Sequence, residues 1–313
     1  MYKLLYNIYF SYKRYEAKHD KSNKNEKKTN IQLFIGYIEA YYNLFMVAWY
    51  KKHSSKKKGI TSGKRNQKII VSLTSYSKRI ETLWICIETL LRQSMKPDEI
   101  ILWLAREEFA DEADLPNKLL SLKKRGLTIR FCDNLMSHKK YFYVMQEYPD
   151  VLVILVDDDM FYPYDTVKKL YNMHLKNPKD ICVITAQVME QGFSSMPSSW
   201  RNPKYNESVN HSDRIQIFTG SGSLFPQNSL DKQVFNKEHM LKNCPYADDL
   251  WLTFMAYKKG TRITSLSKWR AFPITIYGTS GASLWYINSQ EGKNDEQWKK
   301  LLQFYPDVVN NMQ

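Results

Sequence analysis

The stretch that most constrains this chain is Val151-Leu152-Val153-Ile154-Leu155-Val156, which runs directly into Asp157-Asp158-Asp159. Six consecutive apolar residues, mostly β-branched, predict a strand covered on both faces, as in the middle of a parallel sheet. Three carboxylates at the end of such a strand repel one another and are costly to desolvate. A divalent cation would remove both objections. If strand geometry persists, Asp157 and Asp159 point to one side and Asp158 to the other. Two oxygen donors facing one site suit a hard cation that keeps waters and shares a phosphate-bearing ligand. In open α/β sheets, ligands bind outside the carboxyl ends of the strands.

The flanking sequence agrees with such a sheet. Ile69–Thr74 is a first strand, and Lys78–Arg92 carries Ile80, Leu83, Ile87, Leu90 and Leu91 at helical spacing. Pro97 precedes a second strand, Glu99–Leu104, and a helix over Leu115–Lys124 stops at Gly126. Leu127–Cys132 is a third strand and Lys140–Glu147 a helix; Asp165 caps a helix through Leu175, and Ile181–Thr185 is a further strand. This alternation predicts an α/β fold, a mostly parallel Rossmann-like sheet with helices on both faces. Beyond Gln187 the regularity breaks. Gly192–Ser212, rich in Ser, Asn and Pro, reads as an acceptor-side loop, and Arg214–Phe218 resumes as a strand.

The chain of 313 residues carries a net charge of +14, and its distribution matters more than its size. Residues 1–70 hold 16 Lys+Arg against 4 Asp+Glu, a balance of +12, which leaves +2 over residues 71–313. The main domain is therefore nearly neutral, which argues against a broad nucleic-acid-binding face. Cys86, Cys132, Cys182 and Cys244 stand far apart without metal-ligand spacing and read as reduced thiols of a cytoplasmic protein.

The division falls between a basic, aromatic-rich extension, 1–68, and a domain over 69–313. Met1–Phe10 lacks the long apolar region and cleavage site of a secretory signal, and Lys13–Thr29 is polar and basic. Ile31–Tyr50 carries one charge, Glu39, among many aromatics, and Lys51, Lys52 and Lys56-Lys57-Lys58 follow. Its tyrosines and polar residues suit an interfacial helix on an anionic membrane better than a spanning one. The alternative is a helix packed on the domain that follows or on a partner subunit. We expect a peripheral location at the inner face of the plasma membrane, with Lys56–Lys68 as a linker.

Other clusters carry chemistry more weakly. Gly220-Ser221-Gly222 lacks the spacing of a dinucleotide or phosphate loop, yet lets backbone approach a ligand closely. Asp248 and Asp249 open a helix, where acids complement the macrodipole and one can serve as a rigidly held base. Thr74-Ser75-Tyr76 with Lys78-Arg79 forms the first strand-to-helix turn, a common nucleotide contact. His138-Lys139-Lys140 could neutralise a diphosphate.

Taken in order, these pieces resemble bacterial glycosyltransferases of the GT-A fold, close to family 2, and the arrangement is also similar to exostosin-type transferases. The resemblance covers about residues 69 to 300 and rests on Val71–Tyr76 with Lys78-Arg79, Lys96-Pro97-Asp98, His138–Phe142, Asp157–Asp159, Gly220–Ser223 and Ala247–Trp251. It implies a nucleotide-sugar donor, a UDP-sugar, and a saccharide or lipid-linked saccharide acceptor in cell-surface or capsular polysaccharide synthesis. Asp159 would bind Mn2+ or Mg2+ bridging the diphosphate, with Asp157 reaching the ribose or a metal-bound water. Thr74, Ser75 and Arg79 would line the nucleoside pocket, with Lys139 or Lys140 on base or phosphate. Asp158, Gly220 and Ser221 would lie along the donor, and Asp248 or Asp249 would be the base of an inverting transfer. Asn288, Asn294 and Asp295, between Trp285 and Trp298, would close over the donor. The competing classes are a metal-dependent nucleotidyl or phosphoryl transferase and a non-enzymatic basic membrane-binding protein.

Overall fold

The computed structural model describes residues 30–53, 55–202, 209–266, 273–279, 288 and 292–311. The readings made for 1–29, for the middle of the 192–212 loop and for Trp285 lie outside these residues. In chain order the elements are α1 (Asn30–Lys52), β1 (Ile69–Thr74), α2 (Ile80–Leu91), β2 (Glu99–Ala105), α3 (Asn117–Leu120), β3 (Leu127–Cys132), α4 (Lys139–Glu147) and β4 (Leu152–Leu155). There follow β5 (Met160–Phe161), α5 (Thr166–Lys176), β6 (Ile181–Val183), β7 (Ala186–Val188), β8 (Ile215–Ile217) and β9 (Ser223–Phe225). The chain continues with α6 (Lys237–Asn243), α7 (Asp248–Lys259), β10 (Ile263–Ser265), β11 (Ile274–Thr275), α8 (Lys293–Phe304) and α9 (Pro306–Asn311).

Seven strands form a mostly parallel sheet in the order β10-β6-β9-β4-β1-β2-β3. Only β9 runs against its neighbours, wedged between β4 and β6. β1 pairs in parallel with β4 through Val71 and Ile154, and with β2 through Val71 and Ile100. Both faces of these strands are covered, which is why their sequences are continuous apolar runs. Val71, Leu73, Leu102 and Ile154 pack under α2, α3 and α5, while Ile70, Trp103, Val153 and Leu155 pack under α4, α7 and α8.

Several expectations are refined. The helix over 115–124 breaks into α3 and a 3-10 segment, Ser121–Arg125, where the Ser121 hydroxyl turns back to the Lys118 carbonyl. It stops at Gly126 in the left-handed region, φ 115°, as expected. Asp165 does not cap α5; its carboxylate pairs with Lys169 one turn along. The linker reading of 56–68 is also corrected. Gly59 is buried, donates its N–H to the Arg125 carbonyl at 2.7 Å, and lies so close to Leu91 that a Cβ would collide with it. Behind this strap, Glu88 is buried between Arg92 and Arg125, and Arg92 donates to the His53 carbonyl at 2.7 Å.

One face of α1 packs on the domain, the alternative reading of this segment. Tyr42, Met46 and Tyr50 are buried there, each contributing roughly 1.5–3 kcal/mol if counted as full burial. Asn43 sits among them and makes two hydrogen bonds to β11 and its exit. Its amide donates to the Thr275 carbonyl at 3.1 Å and its oxygen accepts from the Tyr277 N–H at 2.7 Å.

Candidate active site

The carboxyl ends of β1 and β4, the 3-10 turn Thr219–Ser221 and the first turn of α7 converge on one cavity of about 930 Å3. Thr74, Ser75, Arg79, Lys139, Lys140, Asp157, Asp158, Asp159, Gly220, Asp248 and Asp249 all line it. Ser221 does not. Its hydroxyl donates to the Phe218 carbonyl at 3.1 Å and accepts from the Thr185 N–H at 3.2 Å, so it ties the wall together from behind.

The three aspartates after β4 are not arranged by strand alternation. β4 ends at Leu155 and the chain bends through Asp158 and Asp159. Asp158 and Asp159 consequently share one cation, and Asp157 turns to another. Arg79 donates Nη1 to Asp158 Oδ1 at 2.6 Å and lies 3.1 Å from Asp159 Oδ2 through Nη2. Ser75 donates to the second Asp158 oxygen at 2.5 Å. Arg79 also stands 5.5 Å from the Tyr76 ring centre and donates to the Thr279 carbonyl, so the guanidinium is fixed from several sides. Asp157 pairs with Lys140 Nζ at 2.5 Å. Gly220 permits this placement, because a Cβ there would lie 2.5 Å from Asp157 Oδ2.

Lys140 continues to Asp248 Oδ2 at 2.8 Å and is 3% exposed, which makes it a strut between the two acidic clusters. Burial works against its charge, but Asp157 and then Asp248 outweigh this and hold it protonated. Burial alone would raise Asp248, yet Lys140 beside it holds the carboxyl below its ordinary value. Asp249 differs. Its Oδ1 accepts from the Thr219 hydroxyl at 2.6 Å and the Thr219 N–H at 3.0 Å, leaving Oδ2 as the oxygen available to a ligand. Burial and the neighbouring Asp248 charge push Asp249 up to about 7. Burial and the Asp158 charge do the same to Asp159, also to about 7.

His138 is not a phosphate contact. It is fully buried, hydrogen-bonds the Cys244 carbonyl at 2.9 Å and the Tyr141 hydroxyl at 3.1 Å, and is pushed down to about 4 by burial. Lys139 stays on the cavity wall with Nζ 3.1 Å from Asn134 Oδ1.

No protein-family model matches the sequence, and no curated protein matches it. Among solved structures, the chain is similar to S. aureus TarS 1-349 in complex with UDP-GlcNAc, at 16% identity and TM-score 0.43, over 64% of this chain and 56% of that one. For TarS 1-349 in complex with UDP the values are 15% and 0.42, over 64% and 58%. It is also similar to the mannosyltransferase PcManGT from Pyrobaculum calidifontis in complex with GDP-Man and Mn2+, at 11% and 0.38, over 86% and 70%. The chain thus spans little more than half of the TarS structures. At these scores the likenesses are distant, and the functional reading rests on the cavity.

The donor set fits a cation only in part on its own. Among the described residues, no three His, Cys, Asp or Glu side chains gather to cage a metal. Asp159 Oδ1 is buried without a hydrogen-bond partner, and Asp157 lines the same cavity. One or two carboxylates completed by a ligand's phosphates is the usual way of holding Mg2+. Arg79 and Lys140, which sequence reasoning did not assign to neutralising the acids, already compensate part of the charge.

Two further residues escaped sequence reasoning. Tyr162 accepts from the Asp157 N–H and donates to the Gly220 carbonyl, both at 2.8 Å, and so welds the triad to the glycine turn. Its place five residues after Asp157 was the available signal. Thr219, which orients Asp249, stands next to the glycine motif. On the far wall, Asp295 at the start of α8 accepts from the Ser198 N–H at 2.8 Å and its hydroxyl at 2.5 Å, and Asn288 donates to the Tyr246 carbonyl at 2.8 Å. Both line the cavity with Asn294.

Proposed function

We propose that this protein is a glycosyltransferase of the GT-A type, moving a sugar from a nucleotide-sugar donor, in our reading a UDP-sugar, to a saccharide acceptor for a surface or capsular polysaccharide. The observation that carries the reading is the division of labour within one cavity. The β1 and β4 ends present a guanidinium-clamped carboxylate beside one with a free buried oxygen. The α7 end presents a carboxylate near neutral pKa, held on one oxygen only.

In this reading the nucleoside lies against Thr74, Ser75 and Tyr76, with Arg79 and Lys139 near its phosphates. Asp159, with Asp157, would hold Mn2+ or Mg2+, whose charge would stabilise the departing nucleoside diphosphate. Asp249 takes the proton of the acceptor hydroxyl, since a base with a pKa near 7 combines availability with proton affinity at neutral pH. Asp248 is the weaker candidate, because Lys140 holds it ionised and occupied. Lys140 fixes the distance between the donor-side and acceptor-side acids. The opposite wall, with Tyr246 and Asp295, receives the acceptor.

The test is a panel of nucleotide sugars and plain nucleoside triphosphates, with and without Mn2+, read by thermal shift and by release of nucleoside diphosphate. A ligand at 100 times its dissociation constant stabilises by about 2.7 kcal/mol, which a melt detects easily. We expect one nucleotide-sugar class to stabilise the protein in a metal-dependent way that Asp159→Ala removes. Stabilisation and turnover by triphosphates alone would point to phosphoryl or nucleotidyl transfer, and release unaffected by Asp159→Ala would sink the metal assignment.

A further inference from the structure

The helix α1 is apolar on two opposite faces, and the domain covers only one. At about 100° per residue, buried Tyr42, Asn43, Met46 and Tyr50 share one side. Tyr37, Tyr41, Leu44 and Ala48 share the other, within an arc of about 60°. The three large side chains of that second stripe are 74%, 61% and 73% exposed. A surface helix normally turns a polar face outward, so the outward stripe needs an occupant.

The charge at the end of the stripe identifies one. Lys51 and Lys52 lie about 50° to either side of it at the end of the helix, and both are exposed. Lys56, Lys57 and Lys58 follow, also exposed. Lys118 comes from a separate element, α3. It sits 3.4 Å over the Trp84 ring and close enough to Lys51 to feel its charge. No described helix is long and apolar enough to cross a membrane. Tyrosines and a leucine with ammonium groups gathered at one end of the stripe match the interface of an anionic bilayer, where aromatic rings sit at headgroup level and each lysine near the surface adds about 1 kcal/mol.

We propose that α1 docks the protein onto an anionic lipid bilayer through Tyr37, Tyr41 and Leu44, with the lysines beyond the end of that stripe holding the headgroups. The docked helix is one layer from the cavity. Asn43 grips the backbone of Thr275 and Tyr277, Ile276 between them donates its N–H to the Asp159 carbonyl at 2.7 Å, and Thr275 lines the cavity. Tyr277, whose N–H is held by Asn43 on the covered side of the helix, is 80% exposed. Docking by the outward face leaves one helix diameter, about 10 Å, between the bilayer surface and this wall. The proposal stands on the helix and its charges, and does not depend on the reaction assigned to the cavity.

The experiment is co-sedimentation of the full chain with vesicles of phosphatidylcholine alone and of phosphatidylcholine with about one third phosphatidylglycerol. We expect binding to the anionic vesicles that weakens as salt is raised. The triple variant Tyr37→Ser/Tyr41→Ser/Leu44→Ser should bind them roughly tenfold less or weaker still. Lys51→Glu/Lys52→Glu should lose most of the preference for the anionic vesicles. All three positions of the triple variant are exposed, and circular dichroism and melting confirm folding. Equal binding of wild type and triple variant, or no preference for anionic vesicles, overturns the proposal. So does a concentration-dependent dimer, seen by sedimentation, that the triple variant abolishes while vesicle binding is absent, because the occupant is then a second copy.

Discussion

The acidic turn after β4 and the acidic start of α7 come from different elements, yet they divide their partners in a similar way. In each, one aspartate is tied to a cation, half-buried Arg79 or buried Lys140, and its neighbour in sequence is pushed up to about 7, although burial outweighs the cation at Asp158 and Lys140 outweighs burial at Asp248. Asp158 gives its two oxygens to Arg79 and Ser75, while Asp159 keeps a buried oxygen without a partner. Asp248 faces Lys140, while Asp249 is held on one oxygen by Thr219. The difference lies in what supports the unpaired member. Asp159 still touches Arg79 at its other oxygen, whereas Asp249 is oriented by a neutral hydroxyl and an amide. A carboxylate with a residual cation nearby suits a ligand-completed metal site, and one held by neutral donors is freer to gain and lose a proton.

The largest effect is expected at the strut joining the two clusters. Lys140→Met leaves Asp157 and Asp248 facing each other without a cation, and removing one partner from a buried pair costs about 3–5 kcal/mol. A chemical melt should show this loss, with Lys140→Arg recovering part of it; an unchanged midpoint would mean the clusters are not coupled through this residue. Next, Asp249→Asn should cut turnover by about 10²–10⁴-fold while leaving nucleotide-dependent thermal stabilisation intact. The same substitution at Asp248 should disturb stability more than donor binding, and the reverse pattern would exchange their roles.

Gly220→Ala probes the donor side alone. Its Cβ would force Asp157 away from the turn, and overpacking of this kind costs about 1–3 kcal/mol. We expect the donor KM to rise with a smaller change in kcat; equal values for both enzymes would remove Asp157 from the donor's surroundings. The smallest effect is a pH dependence. Asp249 at about 7 lies above the ordinary 3.8, so the fold binds its proton more tightly than the unfolded chain does. Its stabilising contribution is therefore complete below about pH 4 and lost as pH rises through about 7. Between pH 5 and 8 the wild type should lose a few degrees of Tm more than Asp249→Asn, roughly 2–8 °C. Turnover should rise over the same interval, and parallel melting curves would refute the raised pKa.

The central part of the fold was legible because strands buried on both faces must be apolar throughout, so Ile69–Thr74 and Glu99–Ala105 announce themselves, while Leu127–Cys132 at the sheet edge shows alternation around the exposed Arg130. β9 did not. Three residues, Ser223–Phe225, carry no period, and only the space between β4 and β6 makes them a strand. The site was legible as residue types and hidden as pairings. Asp157–Asp159 invited a cation, but nothing in the order of residues told that Arg79 takes two of them and Lys140 the third. Alternation failed there because the chain leaves strand geometry at Leu155, before the first aspartate. Ser221 was misjudged for the opposite reason. A hydroxyl next to a glycine turn is as well suited to closing the turn as to meeting a ligand, and Thr185 and Phe218 claim it.

The strap at Gly59 bears on where this protein can be cut. With Leu91 pressed against Gly59 and the Arg125 guanidinium reaching the Lys57 carbonyl, the segment before Ile69 closes the sheet's outer layer as a plank closes a hull. A fragment beginning at Ile69 would lay bare Leu91 and Arg92 at the end of α2, and would unhook the wall strand that Asn43 grips. Extension and sheet would therefore have to be produced as one piece, and a cut between them would disturb the fit of both.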